Sequence, residues 1–263
     1  MRSTPFVLPL LLAAGVAAAG GQTVGHRVAA SDGVVQVIYP SRPGACGDGS
    51  GSIGNVLGRN QRYSGEDTWS GHGLWENRQC VRGPARVVAT VLSGEVTRLR
   101  VYVGPIPATE ATTRTLNVGA TEAAAWLDEL VARGGQRLGS QAMLPRVLAD
   151  AEDPWPLFMR VARDANRPRD VRQSALAWLS SGVAYHLGIA DSGASGAESD
   201  EDQMRAHAVF VLTQRPRGES VPALIDIART ASHAAARKAA IYWLGQSGDP
   251  RALDVYAELL GLR

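Results

Sequence analysis

Three segments of this chain repeat one another. Arg172-Gln173-Ser174-Ala175-Leu176-Ala177-Trp178-Leu179 recurs as Arg205-Ala206-His207-Ala208-Val209-Phe210-Val211-Leu212, and again as Arg237-Lys238-Ala239-Ala240-Ile241-Tyr242-Trp243-Leu244. The copies start 33 and 32 residues apart, a period that belongs to stacked supersecondary units. An apolar residue precedes each arginine: Val171, Met204 and Ala236. With the alanine four positions later and the leucine eight positions later it lies along one helix face. Each copy is therefore expected to bury Val171/Ala175/Leu179, Met204/Ala208/Leu212 or Ala236/Ala240/Leu244, the small alanine permitting close helix approach. A unit of this kind cannot cover its own apolar face, so it stacks on its neighbours.

Partner helices lie between the copies. Residues 155–165 (Trp-Pro-Leu-Phe-Met-Arg-Val-Ala-Arg-Asp-Ala) parallel residues 221–231 (Val-Pro-Ala-Leu-Ile-Asp-Ile-Ala-Arg-Thr-Ala), matching at Pro156/Pro222, Ala162/Ala228 and Arg163/Arg229. Proline in a first turn costs no helical hydrogen bond. Gly248-Asp249-Pro250 opens a last helix carrying Leu253, Tyr256 and Leu260. The second helices of the units are expected at 169–180, 202–213 and 235–245. The middle unit departs from the rest: its first helix is reduced to 183–189, and a polar stretch, 191–202, follows.

Residues 221–260, with Ala-Arg-Lys-Ala-Ala-Ile-Tyr-Trp-Leu-Gly and Gly-Asp-Pro-Arg-Ala-Leu, resemble HEAT repeats, particularly the short HEAT-like type first associated with phycobilin lyases. The resemblance covers residues 152–263 well and 121–150 loosely. It implies an α-solenoid, and a function of binding a protein or peptide partner along the surface made by the second helices. Polar residues outside the core register, Gln173, His207, Lys238 and Tyr242, are the expected partner contacts. The family also includes a few enzymes.

The residues before the repeats follow a different pattern. From about 24 to 104 they read as β. Residues 34–39 (Val-Val-Gln-Val-Ile-Tyr) stop at Pro40, and 86–92 with 96–103 make a hairpin around Ser93-Gly94-Glu95. Thr97, Leu99, Val101 and Val103 are expected on one face, with Arg98 and Arg100 on the other. Gly104-Pro105-Ile106-Pro107 marks the change to helical periodicity. Thr121 is the expected N-cap of a helix over 122–133, and a second helix is expected over 141–149. The fold class is thus α+β and multidomain: a small disulfide-stapled β domain at 22–104, then a helix-turn-helix solenoid at 105–263.

The first 21 residues read as a signal peptide. Arg2 precedes an apolar run at 6–18, and Ala17-Ala18-Ala19-Gly20-Gly21 supplies small residues for cleavage. Export, to a periplasm or the exterior, gives the two cysteines their meaning. Cys46 and Cys80 are expected to pair, closing a loop worth roughly 3–4 kcal/mol. A zinc site using Cys46, Cys80 and His72 lacks a CxxC pair and a fourth ligand.

The other function classes find little support. The 27 basic and 25 acidic side chains leave a charge of +2, too balanced for a nucleic-acid partner, and no membrane span is expected once the leader is removed. The glycine-rich run at 46–54 lacks the Lys-Ser/Thr of a phosphate loop and the pattern of a nucleophile elbow. The acids of 191–202 lack calcium-loop spacing. No catalytic residue, metal or cofactor is expected. Two rivals sit in the β part: a chemical site joining Asp48, His72 and Glu76, and a glycan platform of Trp69 and Trp75. The repeat arginines 172, 205 and 237 are expected to pack locally rather than bind anions.

Overall fold

The structure, a computed structural model, describes residues 22–57, 63–64, 80–106, 114–190 and 199–262. The signal peptide therefore lies outside the described residues, as do His72, Glu76, Trp69 and Trp75.

The first described element is a helix, α1 (Val24–Ala29), inside the part read as β. Its six residues are too few to show a period. Thr23 caps it by accepting from the His26 N–H, and Val24 and Val28, one turn apart, are both buried. Strand β1 (Gly33–Tyr39) follows, then the short strands β2 (Cys46–Gly47), β3 (Ser52–Ile53), β4 (Tyr63–Ser64) and β5 (Val81–Arg82). The hairpin is β6 (Ala85–Leu92) and β7 (Glu95–Val103), turning at Ser93-Gly94. Strand β8 (Arg114–Asn117) lies past Gly104, so strand structure continues beyond the sequence boundary. Four residues carry too little alternation to be read alone. What makes them a strand is parallel pairing with residues 35–38 of β1.

The strands form two sheets, ordered β7-β6-β1-β8 and β4-β3-β2-β5. In the hairpin Leu99, Val101 and Val103 are buried as expected, but Thr97 is exposed. The register shifts between Thr90 and Val91, and this irregularity turns the β7 start out of the buried face. The expected disulfide is present: Cys46 of β2 bonds Cys80, just before β5.

Helices α2 (Ala120–Arg133), α3 (Gln136–Gln141) and α4 (Met143–Leu148) come next. Gly119, not Thr121, is the N-cap of α2, and the Glu122 carboxylate closes the end by accepting from the Gly119 N–H at 3.0 Å. The helix expected over 141–149 breaks at Ala142 into α3 and α4. α3 covers the outer edge of the larger sheet, where the Gln141 side-chain Oε1 accepts from the Leu99 N–H at 3.1 Å.

The end of β1 is stitched to the end of α4. The Arg42 N–H donates to Leu148 O at 2.7 Å, Asp150 N–H to Pro40 O at 3.2 Å, and the Tyr39 hydroxyl to Pro145 O at 2.8 Å. Arg42 adds a bond to Val147 O at 3.1 Å and an ion pair with Asp153 at 2.8 Å. Tyr39 is fully buried, and that burial raises its phenol well above the usual range. Tyr39→Phe leaves the Pro145 carbonyl without this donor in a dry site. It is expected to cost about 1–3 kcal/mol, measurable as a lower urea midpoint at unchanged slope.

The repeats follow as α5 (Trp155–Arg163), α6 (Arg169–His186), α7 (Asp200–Leu212), α8 (Arg217–Thr230), α9 (Ala234–Ser247) and α10 (Arg251–Leu259). Two expectations are corrected. α6 does not end near 180, and no separate helix forms over 183–189. Residues 180–182 are small (Ser-Ser-Gly) and let α6 run on against α5, the Gly182 backbone meeting the Trp155 ring. Pro222 is not in a first turn, because α8 starts at Arg217; it sits inside the helix.

The stacking order also differs from the chain order. α5 pairs with α6 and α8 with α9, and α6 lies directly on α9. Small residues permit that approach, Gly245 of α9 facing Leu176 O and the Ser180 Cβ. α10 contacts both α5 and α8. The equivalent arginines clamp it from its two sides, Arg163 on Asp254 at 3.1 Å and Arg229 on Glu258 at 2.6 Å. The Tyr256 hydroxyl donates to Ile241 O in the interior. α7 packs on the far side of α9, so the second helices run α6, α9, α7. Among the described residues the middle copy has no first helix of its own and stands outermost.

That position overturns the expected core face of α7. Val171, Ala175 and Leu179 are fully buried in α6, as are Ala240 and Leu244 in α9. Met204 and Ala208 of α7 are exposed, and Val209 alone of that helix is buried.

Candidate interaction surface

The repeat arginines explain how each second helix is locked to its unit. Arg172 Nε donates to Ala162 O at 3.3 Å, and Arg237 Nε to Ala228 O at 2.8 Å. Ala162 and Ala228 are matching positions, so both arginines satisfy a carbonyl at the C-terminal end of the preceding helix. Among the described residues no separate helix stands between α6 and α7 to offer Arg205 such a carbonyl. Arg205 turns instead to its own first turn, pairing with Glu201 at 2.8 Å and Asp202 at 3.1 Å. The hydrogen bond that its guanidinium donates to Glu201 is the main reason its pKa is raised above the ordinary value. All three arginines make local contacts, as the packing reading expects.

The four candidate contact residues fall on the three second helices. Gln173 on α6 and His207 on α7 are exposed; Lys238 and Tyr242 on α9 are half-buried. Ring contacts connect two of them across the α7–α9 junction. His207 lies against Phe210 (centroids 5.8 Å apart), Phe210 against Trp243 (5.2 Å), and Trp243 edge-on to Tyr242 (5.0 Å). Phe210 and Trp243 lie outside the polar set expected at this surface. Trp243 shares the register of Trp178, which is buried in α6, whereas Trp243 is only half-buried because its neighbour is the outermost helix. Lys238 has a structural task in addition: its ammonium donates to Ala190 O at 3.0 Å, tying α9 to the segment that follows α6.

Gln173 is not joined to this chain of rings. It lies on α6, which neighbours α9, and Ser174 beside it bonds Ser140 of α3 at 3.2 Å. The start of α6 is therefore held to α3, and Gln136 of α3 also donates to Asp170.

The rival site in the sheets has one describable member. Asp48 Oδ1 accepts from the N–H groups of Ser50 and Gly51 at 2.9 and 3.0 Å, which makes it the organiser of its own turn. The same turn is anchored from below. Arg86, almost fully buried, donates from Nη2 to Gly49 O at 2.9 Å and stacks over the Tyr102 ring at 4.4 Å. Burial lowers the pKa of this guanidinium. Among the described residues no cluster of three or more His, Cys, Asp or Glu side chains is placed to hold a metal ion. No described helix is long and apolar enough to cross a membrane.

A family model described as HEAT repeats matches residues 194–262, which span α7 to α10. No curated protein and no solved structure matches the chain. HEAT repeats often mediate protein interactions, and they suggest a protein-interaction scaffold here. The match over 194–262 and the stacked helix pairs fit a HEAT-like repeat protein in the C-terminal helical region, following a disulfide-bonded sheet module for which no family is recognised.

Proposed function

We propose that this protein is an exported scaffold of the cell envelope that acts by binding a protein or peptide partner. The partner lies across the second helices, and Gln173, His207, Lys238 and Tyr242 are its polar contacts. The observation that carries this reading is the run of rings from His207 through Phe210 and Trp243 to Tyr242. Half-buried aromatics beside exposed polar groups are what binding hot spots are made of. The Cys46–Cys80 bond supports export, since such a bond persists in an oxidising compartment. The proposed mature chain begins near residue 22, and the proposed division into sheet and solenoid parts, read from the sequence near 104, is placed after β8 so that this strand stays with its sheet.

Capture tests it. Residues 22–263 are immobilised beside a Gln173→Arg, Tyr242→Ala variant, and extract from the protein's own envelope is passed over both. Lys238 is left intact because of its bond to Ala190 O. A stoichiometric protein held by the first column and reduced at least about tenfold on the second is expected. Equal retention on both, or none on either, counts against this face.

A further inference from the structure

α7 presents a core-type surface outward. The stripe Met204, Ala208 and Leu212 corresponds to positions that are buried in α6 and buried or half-buried in α9, yet here Met204 is 72% exposed and Val211, beside it on the same side, 50%. Among the described residues α7 packs on α9 and α8, on its opposite side around Val209. A repeat array ordinarily ends on a polar outer face, because an apolar one seeks another surface.

The charges at the two ends of α7 indicate which surface. Asp200, Glu201 and Asp202 form its first turn. At the other end the chain continues in tight turns, Thr213, Gln214 and Arg215 donating to Phe210, Val211 and Leu212 carbonyls, and so carries Arg215 past the last helical residue. Arg217 follows, exposed. Glu201 and Asp202 are engaged with Arg205, and Arg215 reaches Glu219 only at 3.9 Å across solvent. When two copies of α7 lie antiparallel about a two-fold axis beside His207 and Ala208, Met204 of each faces Val211 of the other. The same register sets Asp200 opposite Arg215. Alanine at the axis lets the helices approach, the apolar pairs close over it, and each acidic end meets a basic end. Antiparallel helix dipoles add in the same sense. A self-complementary patch is what a two-fold interface requires.

We propose that the outer face of α7 is the self-association surface of this protein, and that its occupant is α7 of a second copy. The contact is one helix pair wide, so the dimer forms reversibly and its population depends on concentration.

The test is molar mass by light scattering or sedimentation on residues 22–263, from about 1 µM to about 100 µM. The mass is expected to climb from one chain towards two over that range. Met204→Glu, at a position already in water, is expected to hold the protein at one chain with its helix content unchanged. Asp200→Arg sets two arginines against each other and is expected to weaken association about tenfold or more. Adding Arg215→Asp to Asp200→Arg restores opposite charges in the reversed sense and is expected to restore association. A single chain at every concentration overturns the proposal. So does a dimer that Met204→Glu leaves intact, and so does a failure of the double reversal to recover what Asp200→Arg loses. His207, beside the axis, is also a proposed partner contact, so capture is read through Tyr242 at concentrations where the protein is a single chain, and loss of one result leaves the other readable.

Discussion

Phe158→Ala is expected to lower the free energy of unfolding by about 3–5 kcal/mol. Phe158 is fully buried on α5, and its ring meets Trp155 edge-on with centroids 6.1 Å apart. The cost of such a deletion depends on how far the surroundings collapse into the space. Trp155 has little freedom to do so, because its indole is already against the α6 backbone at Gly182, where an added Cβ would come within 2.8 Å. The cavity therefore persists, and the loss belongs at the upper end of the range. Leu157→Ala, next in sequence but only partly buried, is the control and is expected to cost less than half as much. Urea unfolding followed by circular dichroism decides the matter; a Phe158→Ala loss below about 1 kcal/mol would mean that α5 is not packed into the repeat core.

Breaking the disulfide is the second large effect. Cys46 and Cys80 are 34 positions apart, and on the chain-entropy account closing that loop is worth about 4 kcal/mol. The smaller sheet needs it: its strands are two residues long each, and the buried apolar side chains around the bond are, among the described residues, Ala45, Ile53, Val56 and Leu57. The loss is expected to reach the whole molecule. The Gly49 N–H donates to Val103 O at 2.9 Å, joining the small sheet to the large one, and the large one is stitched to α4 at residues 39–42. The buried apolar core is continuous from β1 through α2 and α5 to α10. Adding a phosphine reductant, or substituting Cys46→Ser with Cys80→Ser, is thus expected to move one cooperative transition to lower urea. An unchanged midpoint, or an early transition confined to the sheets, would show that the bond staples a part the rest does not depend on.

Some of this architecture was legible in the residues and some was not. The repeat showed the second helices because its period records a packing face, and the arginines at 172 and 237 do the same task at matching positions. The hairpin was legible because alternation over eight or nine residues is a strong signal. β8 was not, since its strand character comes from pairing with β1, far away in sequence. α6 outran its expected end because Ser180, Ser181 and Gly182 look like a break and act as a close-packing surface. The order α6, α9, α7 is a tertiary outcome that no local pattern encodes. It is also why Met204, apolar and in register, stands in solvent. Of the candidate contacts, His207 and Tyr242 are linked through Phe210 and Trp243, two rings outside the expected polar set. Gln173 is legible as a polar position outside the core register, and neither property reports which neighbours a helix acquires.

Hydroxyl-radical footprinting of the captured complex tests the scaffold reading most directly, because it reads the side chains themselves. With the partner bound, oxidation of Tyr242 and Trp243 is expected to fall several-fold, with Phe210 following them, while Tyr102 on the large sheet is unchanged. Unaltered oxidation at Tyr242 and Trp243, with protection at Tyr102 instead, would place the partner on the sheet module and contradict the account.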